Sequence, residues 1–289
     1  MKDKRVFGVI GVLLGALAMP VHAISVAVAY STINDFGVSF SAGTPFFSGF
    51  TFSNDAAADS LGGVGAADLM DAPAACVGAC SGFDNDFVQH GQSNNDAYSY
   101  GDALIANADV LNANGSASVI GDVLVGAGIA YASGANVMSA RMYNVTPGSA
   151  INFSFDADLF LLTAMDQGGS ASANSFFNIT LLDGFNNTVF EWLPNGSVDT
   201  VVGGIEHADP FSLNTGIAFD SAYNQTVDSF SASTNVLAGG TYKLNIKMET
   251  KVNANAVIGP TSVVPVPAAI WLFISGVMGL VAASRYKKM

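Results

Sequence analysis

Apolar and polar residues alternate one for one through long parts of the chain. Tyr242, Leu244, Ile246 and Met248 fall on one side of an extended backbone, and Lys243, Asn245, Lys247 and Glu249 on the other. Ile151, Phe153 and Phe155 alternate in the same way with Asn152, Ser154 and Asp156. Successive strand side chains point to opposite faces, so this pattern predicts half-buried strands. Further strands are predicted over residues 25–30, 38–41, 50–52, 119–125, 140–144, 158–164, 176–182, 188–192, 216–219 and 229–233. Turn residues separate many of them: Thr146-Pro147-Gly148, Asp183-Gly184, Pro194-Asn195-Gly196 and Gly239-Gly240. Between the two ends no stretch shows a 3.6-residue period with helix caps. The expected fold is all-β, an antiparallel β-sandwich or jelly-roll-like ectodomain.

Two regions are less regular. Residues 54–102 are rich in Ala, Gly, Asp and Asn, which predicts long loops with a short helix near residues 66–70. Residues 103–140 mix Ala, Val, Ile and Gly with small polar residues. They read as strands whose glycine-rich face lets another sheet approach closely. A stack of β-solenoid turns is the alternative there, although no fixed repeat period is visible. The exported β-rich domain is expected over residues 24–252, followed by a linker at 253–263.

The chain has 289 residues, and half of them are hydrophobic, enough for a substantial core. Its net charge of -13 is unevenly spread. Three basic residues lie at each end, and only Arg141, Lys243, Lys247 and Lys251 lie between. Against those four stand 22 acidic residues, a balance of -18 for the body. Such a body repels phosphate backbones, so no nucleic acid is expected as a partner.

Catalytic patterns are absent: no Gly-x-Ser-x-Gly, no His-Glu-x-x-His and no phosphate-cradling loop with Lys. The body is therefore read as non-enzymatic and without a cofactor. Glu191 and Glu206 would be the carboxylates of a glycosidase-type alternative, and His90 and His207 are the body's only histidines. Asp84-Asn85-Asp86 and the pair Asp156 and Asp158 bring carboxylates close together, as weak calcium sites do, but they read first as solvated acids. Tyr98, Tyr100 and Trp192 are the aromatics that could stack on sugars or pack in the core. Cys76 and Cys80 form Cys-Val-Gly-Ala-Cys. In an exported chain this reads as a disulfide, with free thiols and metal ligation as the alternatives.

The ends carry the clearest signals. Lys2, Lys4 and Arg5 precede an apolar run, and Val21-His22-Ala23 offers small residues where a signal peptidase reads. Residues 1–23 are therefore read as a signal peptide passed through the Sec machinery, with cleavage between Ala23 and Ile24. Residues 268–284 contain no charged side chain, and as a helix they would rise about 25 Å, a short membrane span. Trp271 lies near one boundary, and Arg285, Lys287 and Lys288 follow the apolar run. These cations should stay in the cytoplasm and leave the body outside the inner membrane.

Val264-Pro265-Val266-Pro267, the apolar span with Trp271-Leu272-Phe273 and Ser275-Gly276, and the basic tip from Arg285 come in a set order. Residues 264–289 thereby resemble the PEP-CTERM sorting signal of Gram-negative bacteria. Val266 stands where the typical motif has Glu. The resemblance implies recognition by an exosortase-type transpeptidase, with transient residence in the inner membrane. It further implies cleavage near the motif and delivery to the cell surface or exopolysaccharide matrix. The expected function is that of an exported surface, biofilm or matrix protein. The alternative is a carbohydrate-binding module assisted by calcium.

Overall fold

In the computed structural model, residues 24–43, 46–61, 69–70, 74–77, 83–85, 90–91, 97–107, 110–126, 128–166 and 168–256 are described. Among them are seventeen strands, one 3-10 turn at Val110–Asn112 and no α-helix. In chain order the strands are β1 Ser25–Phe40, β2 Phe46–Leu61, β3 Leu69–Met70, β4 Ala74–Val77, β5 Phe83–Asn85 and β6 His90–Gly91. Then come β7 Ala97–Asn107, β8 Gly115–Val125, β9 Gly128–Val145, β10 Ile151–Met165, β11 Ser170–Leu182 and β12 Thr188–Trp192. The last are β13 Thr200–Val201, β14 Gly204–Ala208, β15 Thr215–Ala218, β16 Ser221–Thr234 and β17 Gly240–Ala256.

They form two sheets, and every strand pairing is antiparallel. The first sheet runs β13-β14-β16-β10-β1-β8-β7-β5, with β6 also on β7. The second runs β12-β11-β17-β9-β2-β3, with β15 on β11 and β4 on β2. Connections such as β1 to β2, β8 to β9 and β10 to β11 pass from one sheet to the other, so neighbours within a sheet come from distant parts of the chain. Ser25 pairs Met165, and Phe46 pairs Tyr143.

The alternation seen in the sequence orients these strands. Tyr242, Leu244 and Met248 of β17 are buried, and Ile246 packs partly buried against the same core. Ile151, Phe153, Phe155, Ala157, Leu159 and Leu161 of β10 are all buried. Strands predicted separately at 25–30 and 38–41 are one strand, β1, with an irregularity between Asn34 and Gly37. Turn residues behave as their chemistry requires: Gly148 and Gly196 hold φ of 79° and 88°, in the left-handed region that glycine tolerates.

Three local expectations are corrected. Residues 54–61, expected as loop, are the second half of β2, paired with β9 from Asn54↔Asn136 to Leu61↔Ile129. Sheet pairing overrides the low strand propensity of their Ala, Asp and Asn residues. Leu69 and Met70, expected in a helix, instead pair with Ala58 and Ala57 of β2. Residues 253–256, expected as linker, continue β17, because Val252, Ala254 and Ala256 keep the inward alternation with small side chains. The residues expected as signal peptide, sorting signal and membrane span lie outside the described residues. Among the described residues no helix is long and apolar enough to cross a membrane.

The expectation for residues 103–140 holds. A Cβ on Gly134 of β9 would overlap the backbone carbonyl of Asp102 in β7 of the opposite sheet. A Cβ on Gly121 would lie 3.2 Å from the Ala132 carbonyl oxygen. Glycine and alanine bring the two sheets almost into backbone contact here.

Candidate functional site

Burial of alternate residues on β17 and β9 leaves the intervening ones on the outer face of the second sheet. That face carries all four basic residues of the body. Lys243, Lys247 and Lys251 follow at every fourth position of β17, about 13 Å apart along the strand. Arg141 of β9 is the direct cross-strand partner of Lys243. Among the described residues neither Arg141 nor Lys243 carries an ion pair. Lys247 Nζ lies 2.7 Å from Glu249 Oε2 and 5.2 Å from the centre of the Phe176 ring. Lys251 pairs with the other oxygen of Glu249. Burial alone would raise the Glu249 carboxyl, but hydrogen bonds and charge from both lysines outweigh it and hold it below the usual range. Hydrogen bonding to Glu249 raises Lys251. Asn174, Ser175 and Phe176 of β11 join Lys247, Glu249 and Lys251 around a shallow depression of about 190 Å³.

A second group of charges is buried at one end of the core. Glu206 of β14 is 1% exposed, and its Oε2 accepts a hydrogen bond from the Asp199 amide at 3.0 Å. Asp209 is also buried, and its Oδ2 accepts from the amides of Asn195, Gly196 and Ser197. This carboxylate therefore organises the Pro194-Asn195-Gly196 turn. Desolvation pushes Glu206 up to about 7, opposed by its hydrogen bond and reinforced by Asp209 and Asp199. Desolvation likewise raises Asp209. Neither Trp192 Nε1 nor Glu206 Oε1 has a partner at hydrogen-bond distance, although the indole N–H is near enough to favour the ionised carboxylate.

The residues singled out by sequence separate into different environments. Glu191 alternates with buried Trp192, so it faces outward on β12, where Oε1 accepts from Asn178 Nδ2 at 3.1 Å. Glu206 is enclosed in the core instead, so the two glutamates do not share one solvent-facing site. Trp192 is fully buried, 5.4 Å from the Phe155 ring, which makes it a core residue rather than a sugar-stacking one. Tyr100 is half-buried on the first sheet and donates to Asp102 Oδ2 at 3.0 Å. Asp156 Oδ1 accepts from the Ser229 hydroxyl at 2.6 Å, and desolvation raises Asp158 to about 6. His207 Nε2 lies 2.6 Å from Ser233 Oγ. No group of three or more His, Cys, Asp or Glu among the described residues is placed to hold a metal ion.

Ile24, read as the first mature residue, is tied to the body: its amide donates to Asp166 Oδ2 at 3.1 Å, and the Asp166 amide donates to the Ile24 carbonyl at 3.0 Å. Cys76 lies in β4 opposite Phe52, whereas Cys80, Ala23 and the residues expected to form the sorting motif, Val264, Pro265, Val266, Pro267, Trp271 and Arg285, lie outside the described residues.

Asn136 was not singled out by its sequence context. It occupies an inward position of β9, where its Nδ2 donates to Leu104 O at 3.0 Å and Ser118 O at 2.9 Å. One side chain thus ties the second sheet to β7 and β8 of the first. A polar residue in the otherwise apolar inward frame of Ala132, Met138, Ala140 and Met142 was its sequence signal. The chain matches no family model, and a comparison with curated proteins finds no relative.

Proposed function

We propose that this chain is an exported, non-enzymatic surface or matrix protein, handed by its C-terminal segment to an exosortase-type transpeptidase. The observation that carries this reading is the ordered arrangement of Pro265 and Pro267, the apolar span with Trp271, and the basic tip from Arg285. The limits of the folded body support it. Strand β1 starts at Ser25, the second residue after the proposed cleavage bond, and β17 ends at Ala256, eight residues before Val264. Among the described residues, both sheets lie between the two terminal segments. Connections that pass repeatedly from one sheet to the other support the jelly-roll-like form of the fold.

The reading is tested by deleting residues 264–289 and fractionating the producing cells. Loss of the protein from the surface and matrix fractions is expected. Equal surface recovery of the truncated and full chains would refute the sorting role. Mass spectrometry of the mature C-terminus should show the apolar span removed.

The depression beside Phe176 on the second sheet favours the alternative of a carbohydrate-binding module, because it joins an aromatic ring to amide and ammonium groups. A glycan array read with and without a calcium chelator tests this alternative, and no binding in either condition counts against it. Saturable binding to a defined glycan supports the module, and chelator sensitivity supports calcium assistance.

A further inference from the structure

We propose that the outer face of the second sheet docks a carboxylate-bearing polysaccharide, with Arg141 and Lys243 holding a carboxylate at one end of a cationic strip along β17. This rests on the surface-matrix reading above and names the partner of that surface.

The first argument is segregation of charge. A body with four basic and 22 acidic residues places all four cations on one face, in its two adjacent strands β9 and β17. The second is an unrelieved repulsion. Lys243 and Arg141 stand directly opposite each other, an arrangement that costs stability unless an anion lies between them. Neither has an acidic partner among the described residues. The guanidinium of Arg141 is exposed, and its planar fork suits a carboxylate in two-point contact. Acidic register positions on β2, Asp55 and Asp59, lie opposite Ala135 and Tyr131, toward the other end of β9.

The third argument selects the polymer. A body balance of -18 repels densely charged polyanions, so four cations partly neutralised by Glu249 cannot hold a nucleic acid or a heavily sulfated chain. A uronate polymer spreads one carboxylate over a whole sugar and presents hydroxyls between. The face alternates in a matching way. Asn245 lies between Lys243 and Lys247 on the same side of β17, and Asn174 lies opposite Lys251 on β11. Amides pair hydroxyls as donor and acceptor, and the Phe176 ring supplies an apolar surface for a sugar face.

The test uses the full chain purified in nonionic detergent, with immobilised polygalacturonate as probe, dextran as neutral control and heparin as the dense sulfated control. Saturable binding to polygalacturonate is expected, weakening at least tenfold between 50 and 500 mM NaCl as about two ion contacts are screened. The double variant R141S/K243S should bind at least tenfold more weakly while its melting temperature stays level or rises. Lys243→Arg should retain binding. No saturable binding to polygalacturonate overturns the proposal, as does undiminished binding by R141S/K243S. Tighter binding to dextran or heparin overturns the choice of partner. Sorting and binding fail separately. A chain that needs residues 264–289 to reach the surface but binds no polygalacturonate sinks this proposal alone, and one that binds it but reaches the surface equally with and without residues 264–289 sinks the sorting reading alone.

Discussion

The two ends of the core are packed by opposite means. At one end, Phe155 meets Phe36, Phe177, Trp192 and Phe230, with ring centroids 6.0, 4.9, 5.4 and 5.0 Å away. Large rings hold the sheets apart there, and polar groups such as Glu206 become trapped beneath them. At the other end, Ala27, Ala29, Ala130, Ala132, Ala171 and Ala254 are buried, and Gly134 lets two backbones touch. The first end gains its stability from buried aromatic area, the second from close dispersion contacts between backbones. A single sandwich can therefore change thickness along its length simply by changing side-chain size.

This contrast predicts unequal responses to substitution. The largest loss is expected for Phe155→Ala, about 3–5 kcal/mol, because neighbouring rings cannot collapse into the space. Urea unfolding of the variant checks it, and a loss below 1 kcal/mol would show that the aromatic cluster is dispensable. At the opposite end, adding atoms should be the damaging change. Gly134→Ala is expected to cost about 1–3 kcal/mol by forcing β7 and β9 apart. A neutral result in the same unfolding assay would mean that the sheets are not in close contact there.

A pH series sharpens the comparison at the aromatic end. Glu206 holds its proton more firmly folded, up to about 7, than at its ordinary 4.5. The folded state therefore gains at low pH, and stability falls as pH rises from about 4.5 to about 7, then levels off. Asp158, raised to about 6, and Asp209 add to the same slope. Glu206→Gln should remove the largest share of it, on the order of 1–2 kcal/mol at pH 8. Melting temperatures at pH 5 and pH 8 decide the matter, since an unchanged difference would place Glu206 in water.

The smallest effect is expected beside the alanine end. Cleavage after Ala23 would turn the Ile24 amide into an ammonium group next to the Asp166 carboxylate. Asp166→Asn should then cost about 0.2–1 kcal/mol in a chain beginning at Ile24, and less in one retaining the leader. Equal losses in both chains would show that no charge pair forms.

The alternating stretches on β10 and β17 were legible because burial leaves a two-residue period in the sequence. Residues 54–61 were not, since Ala, Asp, Asn and Ser state no preference until β9 pairs with them. The small inward residues at 252–256 hid the end of β17 for the same reason. Glu191 and Glu206 looked equivalent in sequence, yet one faces outward and the other is enclosed, because they fall on opposite phases of their strands' alternation. Asn136 left a trace as a polar residue in an apolar frame, but its two acceptors lie 32 and 18 residues away in sequence.

By itself the sequence determined the alternating strands such as β10 and β17, which side of each is apolar and where many turns fall, because these follow from neighbouring residues. The two terminal segments proposed as signals are likewise read from linear patterns of charge and hydropathy. Only the tertiary structure decided which strand pairs with which, since β1 meets β10 across more than a hundred residues and alternation is blind to partners. That pairing places Arg141 opposite Lys243 and gathers the body's four cations on one face. A local pattern sets the direction of a side chain along its strand, but its neighbours come from the folded sheet.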